Sequence, residues 1–157
     1  IARPTWSPDG RALAYDSGGE IYIYDIQSKA SQPITNDNFW DQLPTWSPDG
    51  TTIVYESNRG RNWHLYQIDL ATLETVVLSQ PDRSDQHVTW TDNPRQILFQ
   101  STRQFPGRLY TLNLDDPSQI DEIIVPPESG YSLHLLFGNR AVLESDWTDV
   151  LEPVWVR

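Results

Sequence analysis

Ser17 is the first residue of this 157-residue chain whose setting suggests chemistry, because it stands within Asp-Ser-Gly-Gly at positions 16–19. A serine in such a setting can serve as a nucleophile, but the reaction also requires a histidine base and a buried aspartate. His64, His87 and His134 stand in unrelated sequence contexts, and no Gly-x-Ser-x-Gly elbow occurs. We therefore expect Ser17 to be structural, and we predict no catalytic residue in this chain.

The segment 36–41 is the best candidate for a metal site. Asn36, Asp37, Asn38 and Asp41 offer side-chain oxygens, which are the ligands that Ca²⁺ prefers. Their spacing differs from that of a calcium loop, which has a central glycine and a later glutamate. The histidines lack metal-ligand spacing, cysteine is absent, and no glycine-rich phosphate loop occurs. We predict a solvated turn with Asx hydrogen bonds, and neither a metal ion nor another cofactor.

The same segment carries the best candidates for binding. Phe39 and Trp40 are predicted to lie in a loop, and large aromatic side chains dominate binding hot spots. Charged residues in neighbouring loops complete the predicted contact set, which is Phe39, Trp40, Asp41, Arg59, Arg61, Asp85 and Arg103. Two alternatives stay open. The aromatics can instead pack against the neighbouring blade of the fold, and the aspartates can instead hydrogen-bond backbone amides or pair with Arg59 and Arg103.

A repeated unit positions these residues. Trp-Ser-Pro-Asp-Gly occurs at 6–10 and again at 46–50, each time preceded by Pro-Thr, and tryptophan recurs at Trp90. Serines close the second predicted strand of each unit, at Ser17, Ser57, Ser101 and Ser145. A period of roughly 40 to 44 residues with several short strands per unit predicts β-propeller blades rather than a helical solenoid.

The predicted fold is all-β, with four-stranded antiparallel blades whose strands we call a to d. Runs such as Glu-Ile-Tyr-Ile-Tyr-Asp-Ile at 20–26 are rich in β-branched and aromatic residues, which favour strands. Within one propeller segment, 1–157, the predicted blades span 2–35, 42–79, 87–125 and 132–156. The fourth blade is predicted to have three strands, at 132–137, 140–145 and 151–156.

Ser-Pro-Asp-Gly is predicted to form the turn between strands a and b, because proline fixes φ near −65° and glycine accepts the positive φ that ends the turn. The tryptophan before each turn is expected to pack between neighbouring blades. The predicted structural residues are Trp6, Asp9, Gly10, Trp46, Asp49, Gly50 and Trp90. Because successive strands alternate in direction, the b–c and d–a loops share one face, and this face carries the candidate binding residues.

The composition limits the classes of partner that this chain is expected to bind. The formal net charge is −11, with 22 acidic residues, which argues against binding to nucleic acid or to an anionic membrane surface. No apolar run approaches the roughly 20 residues that cross a bilayer, so we predict no membrane insertion. Absence of cysteine leaves the redox compartment undecided. The chain begins at Ile1, inside a repeat, and contains no methionine, so we expect a fragment of a longer protein.

The repeats resemble the TolB-like class of β-propeller repeats, a WD40-like arrangement. Pro4 to Gly10 match its motif, and Ser17, Ile21-Tyr22 and Asp25 follow at the expected places. The second unit matches equally from Pro44 to Gly50, whereas the third departs from the motif at Thr91-Asp92-Asn93-Pro94. The class has six to eight blades, so the resemblance implies an open part of a larger propeller with association-prone edges. It also favours a periplasmic or other extracytoplasmic location.

Three functions fit the resemblance. The first is a non-enzymatic scaffold that binds a protein or peptide on the face of the longer loops. The second is the substrate-gating propeller of a prolyl oligopeptidase-like serine peptidase whose catalytic domain lies outside this chain. The third is a carbohydrate-binding propeller that uses tryptophans as platforms for sugars.

Overall fold

A computed structural model describes residues 3–79, 82–102, 108–123, 131–137 and 140–145, and only the backbone of the last two segments. The described residues form antiparallel sheets and no helix, so none of them provides a helix that could cross a membrane. Blade 1 contains β1 (Thr5–Trp6), β2 (Ala12–Ser17), β3 (Glu20–Asp25) and β4 (Ala30–Pro33). Blade 2 contains β5 (Asp41–Trp46), β6 (Thr52–Ser57), β7 (His64–Asp69) and β8 (Thr75–Val77).

The later strands continue the pattern. Blade 3 contains β9 (Asp85–Trp90), β10 (Gln96–Ser101), β11 (Arg108–Asn113) and β12 (Ile120–Ile123). Blade 4 contributes β13 (Tyr131–Phe137) and β14 (Arg140–Ser145), while the predicted strand at 151–156 lies outside the described residues. Strands in each sheet are hydrogen-bonded in sequence order. The predicted all-β class, with four-stranded antiparallel blades, is confirmed.

Neighbouring sheets pack face to face, and blade 2 is buried on both sides. Ile53 and Tyr55 of β6 enter a core shared with Ala14 and Ile21 of blade 1. Val54, between them, enters a second core that contains residues of blade 3. Because successive side chains of a strand point to opposite faces, one strand supplies both cores. Alternation along β6 therefore joins three blades into one stack.

Tryptophans at equivalent positions tie successive blades together. The Trp46 indole Nε1 donates to the Thr5 carbonyl at 3.2 Å, and the Trp90 Nε1 donates to the Thr45 carbonyl at 3.3 Å. Trp6 differs from the expectation of packing between blades, since 60% of it is exposed. The physical reason is that no described blade precedes Trp6 to cover the ring or accept its hydrogen bond.

The Ser-Pro-Asp-Gly turns are closed by their own side chains. The Ser7 hydroxyl donates to Asp9 Oδ1 at 2.7 Å, and the Ser47 hydroxyl donates to Asp49 Oδ1 at 2.6 Å. These hydrogen bonds lower the pKa of both carboxyls below the ordinary value. Glycine follows each aspartate with φ near +70°, where other residues are strained.

The first strand of each blade lies innermost. β1 contacts β5, β5 contacts β9, and β9 contacts β13, so these strands form a continuous inner row. In blades 2 and 3 the outer strands are shorter than the inner ones, with three residues in β8 and four in β12 against six in β5 and in β9. Residues at the start of an inner strand are consequently crowded by two neighbouring blades, and this crowding decides which candidate residues can reach a partner.

Candidate functional site

The d–a loop that leads into blade 2 rests on b–c loops, as strand alternation predicts. The backbone N–H of Trp40 donates to Asn58 Oδ1 at 2.7 Å, and the N–H of Asn58 donates to the Trp40 carbonyl at 3.2 Å. On the other side, the N–H of Asp41 donates to the Gly19 carbonyl at 2.8 Å. These bonds tie the loop to both blade 1 and blade 2.

Phe39 and Trp40 are displayed on this fixed loop. They are 47% and 54% exposed, respectively. The N–H of Phe39 donates to Asp37 Oδ1 at 2.8 Å, while the Trp40 ring lies against Gly19, whose φ of +95° suits glycine. The predicted alternative of packing against the neighbouring blade describes Trp40, whose ring contacts Gly19 of blade 1. About half of each of the two residues still remains exposed.

Arg59 supports the loop from beneath. One guanidinium nitrogen lies 2.6 Å from Asp37 and 2.9 Å from Asp41. The guanidinium carbon also lies 4.9 Å from the centroid of the Tyr66 ring and 6.0 Å from that of Phe39, within the range of cation–π attraction. Only 18% of the Arg59 side chain is exposed. Arg59 therefore positions the loop more than it offers a free contact.

Asp41 is fully buried at the start of β5. Burial raises the pKa of its carboxyl, and the Ser57 hydroxyl and the Arg59 guanidinium only partly oppose this rise. The ion pair with Arg59, one of the two alternatives for this residue, is what the structure shows. The prediction that Asp41 itself contacts a partner at the surface does not fit its burial.

Asp85 occupies the equivalent position in blade 3 and is also fully buried. Its N–H donates to the Trp63 carbonyl at 2.9 Å, which fixes the start of β9. A surface contact by Asp85 is excluded for the same physical reason, the convergence of inner strands. Arg61 is exposed in the b–c loop of blade 2, between β6 and β7, and Arg103 lies outside the described residues.

Three carboxyls cluster beneath the loop, since Glu20, Asp37 and Asp41 bring oxygens within 4.8 Å of one another. Each already has protein partners. Glu20 accepts from the Thr35 hydroxyl at 2.7 Å and from the Asp37 N–H at 3.1 Å, and Arg59 binds the other two. Arg59 thus supplies one positive charge to this cluster of three carboxyls.

Sequence reasoning missed a second set of residues, which line a cavity between the inner strands. They belong to corresponding stretches of the first three blades: Arg3, Thr5, Leu43, Pro44, Thr45, His87, Val88 and Thr89. The sequence signal was present in the Pro-Thr that precedes Trp6 and Trp46, because residues at equivalent positions of inner strands must meet around one axis.

Two bulges shape this cavity. Leu43 and His87 occupy equivalent positions, have φ values of 53° and 54°, and coincide with register shifts in β5 and β9. A bulge frees a backbone amide from the ladder. Here the preceding blade accepts it: the Leu43 N–H donates to Asp16 Oδ1 at 3.4 Å, and the His87 N–H donates to Glu56 Oε1.

Comparison with known proteins identifies the family. The sequence model of the TolB beta propeller domain matches residues 1–126. The chain belongs to this family. A search of curated proteins found no match.

Solved structures show where else the fold of this TolB beta propeller occurs. TolB from Acinetobacter baumannii superimposes with a TM-score of 0.72 at 21% identity, covering 93% of this chain and 38% of that one. Puromycin hydrolase gives a TM-score of 0.67 at 18% identity, covering 89% and 24%. Dipeptidyl peptidase 4 of Porphyromonas gingivalis gives 0.63 at 14% identity, covering 92% and 29%. The chain spans well under half the length of these proteins.

Glu56 makes the stability of this TolB beta propeller depend on pH. The side chain is fully buried between blades 2 and 3 and also accepts from Gln42 Nε2 at 3.2 Å. Burial raises the pKa of its carboxyl, and the His87 N–H only partly opposes the rise. The folded chain therefore holds this proton to higher pH than the unfolded chain, so the contribution of Glu56 to stability falls as pH rises above its ordinary pKa of 4.5.

Replacing Glu56 with glutamine should remove this dependence, since the amide oxygen can still accept the His87 N–H. We expect the free energy of unfolding of Glu56→Gln, relative to the unsubstituted chain, to increase between pH 4.5 and pH 7. Urea unfolding at a series of pH values measures the difference. Glu74→Gln is the matched control, because Glu74 is exposed and its replacement should change stability little. A stability difference for Glu56→Gln that does not change with pH would contradict the assignment.

Proposed function

We propose that this TolB beta propeller segment is a non-enzymatic module that binds a protein or peptide on the face of Phe39, Trp40 and Arg61. The observation that carries the proposal is the exposed aromatic pair on a backbone fixed from both sides. Aromatic side chains bind well when they are already ordered, because association then immobilises few groups. The hydrogen bonds of Trp40 and Asp41 provide that order.

The chemistry of the face favours a partner with an apolar or aromatic anchor side chain. Phe39 and Trp40 provide the apolar surface, and Arg61 is an exposed cation in the b–c loop of blade 2. Arg59 is engaged by two carboxylates and holds the loop. An acidic or polar residue flanking the anchor would complement Arg61. We propose a short extended segment of a partner protein as the occupant.

Loss of Trp40 should weaken binding sharply. We expect Trp40→Ala to reduce affinity for peptides selected on this chain from a random display library by about 30-fold, which corresponds to about 2 kcal/mol for a central aromatic contact. Titration calorimetry with the selected peptides measures the change. Trp6→Ala is the matched control, because Trp6 is a similarly exposed tryptophan at the opposite end of an inner strand.

Two results would contradict the proposal that the partner binds on the face of Phe39, Trp40 and Arg61. The first is unchanged peptide binding by Trp40→Ala, and the second is an equal loss with Trp6→Ala. Unfolding midpoints of both variants show whether a loss reflects binding or folding. Glycan-array binding without any selected peptide would favour the carbohydrate alternative instead.

A gating propeller is the second candidate, and the structural similarity to puromycin hydrolase supports it at the level of fold. This chain covers 24% of that protein. The coding sequence surrounding this segment tests the candidate: an adjoining α/β-hydrolase domain with a Gly-x-Ser-x-Gly elbow would decide for it. Association through open blade edges stays a prediction, to which the exposure of Trp6 gives support.

A further inference from the structure

The cavity between the inner strands combines an apolar surface with two basic side chains. Leu43, Pro44 and Val88 supply apolar atoms, and Arg3 and His87 supply the basic groups. Both basic residues are exposed, so they are accessible to a ligand that enters from solvent. The cavity is separate from the face of Phe39 and Trp40, since none of its described lining residues belongs to that loop.

Backbone strain accompanies this cavity. Leu43 and His87 lie in the left-handed region, which residues other than glycine rarely adopt. Such strain persists where the surroundings enforce it, and it clusters at ligand sites. Here Asp16 and Glu56 of the preceding blades enforce it by accepting the bulge amides. Two successive blades keep the same strained position at the wall of one cavity.

The charge of the lining is opposite to that of the chain. The chain carries a net charge of −11, yet none of the described lining residues is acidic and two are basic. Glu56 lies behind the His87 amide and is fully buried, so it does not join the lining. An arginine and a histidine that line the same cavity suit a carboxylate, which the guanidinium can bind through two parallel hydrogen bonds.

We propose that this cavity binds the C-terminal residue of a peptide, with the carboxylate on Arg3 and His87 and an apolar side chain against Leu43, Pro44 and Val88. Capture of a terminal carboxylate is a known mode of peptide recognition. The apolar wall selects a residue such as leucine over glycine. This site goes beyond the proposed function, because it lies on other residues and recognises a chain end rather than an internal segment.

Titration of N-acetyl-Ala-Ala-Leu tests the proposal against the same peptide with a C-terminal amide. We expect the free acid to bind at least about tenfold more tightly than the amide, because only the acid offers a charged acceptor. N-acetyl-Ala-Ala-Gly should bind more weakly than the leucine peptide, and Trp40→Ala should leave all of these affinities unchanged. The last result separates this site from the loop face.

Arg3→Gln and His87→Gln should each weaken binding of the free acid and leave the amide unaffected. Arg11→Gln is the matched control, since Arg11 is an exposed arginine on an a–b turn outside the cavity. Equal affinity for acid and amide, absence of binding by either, or undiminished binding by folded Arg3→Gln would overturn the proposal. Binding of 4-methylpentanoate as tightly as the peptide would also overturn it, by identifying a small acid as the ligand.

Discussion

Replacing Trp90 with alanine is expected to destabilise the chain by about 3–5 kcal/mol, the range for large aromatic truncations in a core. Trp90 is only 2% exposed and belongs to the core between blades 2 and 3. Its removal also deprives the Thr45 carbonyl of the indole donor. Both losses act on one blade interface, so the effect should exceed that of any single surface substitution. Urea unfolding followed by circular dichroism measures it.

Trp6 provides a control of identical chemistry at an equivalent position. Because it is 60% exposed and meets no preceding blade among the described residues, we expect Trp6→Ala to cost less than about 1 kcal/mol. Similar losses for Trp6→Ala and Trp90→Ala would show that stacking of blades is not what these tryptophans contribute. A small loss for Trp90→Ala alone would contradict the assigned core.

Replacing Arg59 with alanine should have the second large effect, a loss of about 3 kcal/mol near neutral pH. The substitution leaves the fully buried Asp41 without its cation, and an uncompensated buried charge is strongly destabilising. Asp37 loses the same partner, although it is more exposed. The loss should shrink as pH falls, because burial already raises the pKa of Asp41 and a protonated carboxyl needs no cation.

Adding Asp41→Asn to Arg59→Ala should restore part of the stability at neutral pH, since the amide carries no charge. Arg61→Ala serves as the control, because Arg61 is exposed and should change stability little. Urea unfolding at neutral pH and near pH 4 distinguishes the outcomes. A loss independent of pH, with no recovery in the double variant, would mean that Arg59 acts through packing on Tyr66 rather than through charge.

Repetition made the architecture predictable. Trp-Ser-Pro-Asp-Gly placed the a–b turns, and alternation of strand direction followed from short connections, so the face shared by Asn58 and Trp40 could be predicted without coordinates. The run at 20–26, predicted from its β-branched and aromatic residues, corresponds to β3 (Glu20–Asp25). These features depend on local patterns that the sequence carries directly.

The burial of a residue was harder to predict, because it depends on which blades lie beside its own. Trp6 and Trp46 stand in identical pentapeptides, but their exposure depends on whether a neighbouring blade covers them. Asp41 and Asp85 read as loop residues, whereas the convergence of inner strands buries them. Burial of this kind results from the stacking of blades, so the local sequence around each residue does not indicate it.

The bulges at Leu43 and His87 gave no local signal at all. Neither leucine nor histidine favours a positive φ as glycine does, so the residue types at these two positions do not indicate a bulge. The compensating acceptors, Asp16 and Glu56, lie one blade earlier. Only alignment of the repeats in three dimensions brings each amide to its carboxylate and reveals the cavity between the inner strands.

Hydrogen exchange with and without a selected peptide tests the loop-face proposal most directly. The account predicts that the peptide slows exchange at 36–41 and 58–61, because hydrogen bonds between Trp40 and Asn58 join the loop of the exposed aromatics to the b–c loop. The a–b turns at 7–10 and 47–50, at the other end of the blades, should exchange as in the free chain. Protection confined to those turns, with none at 36–41, would contradict the assignment of the binding face.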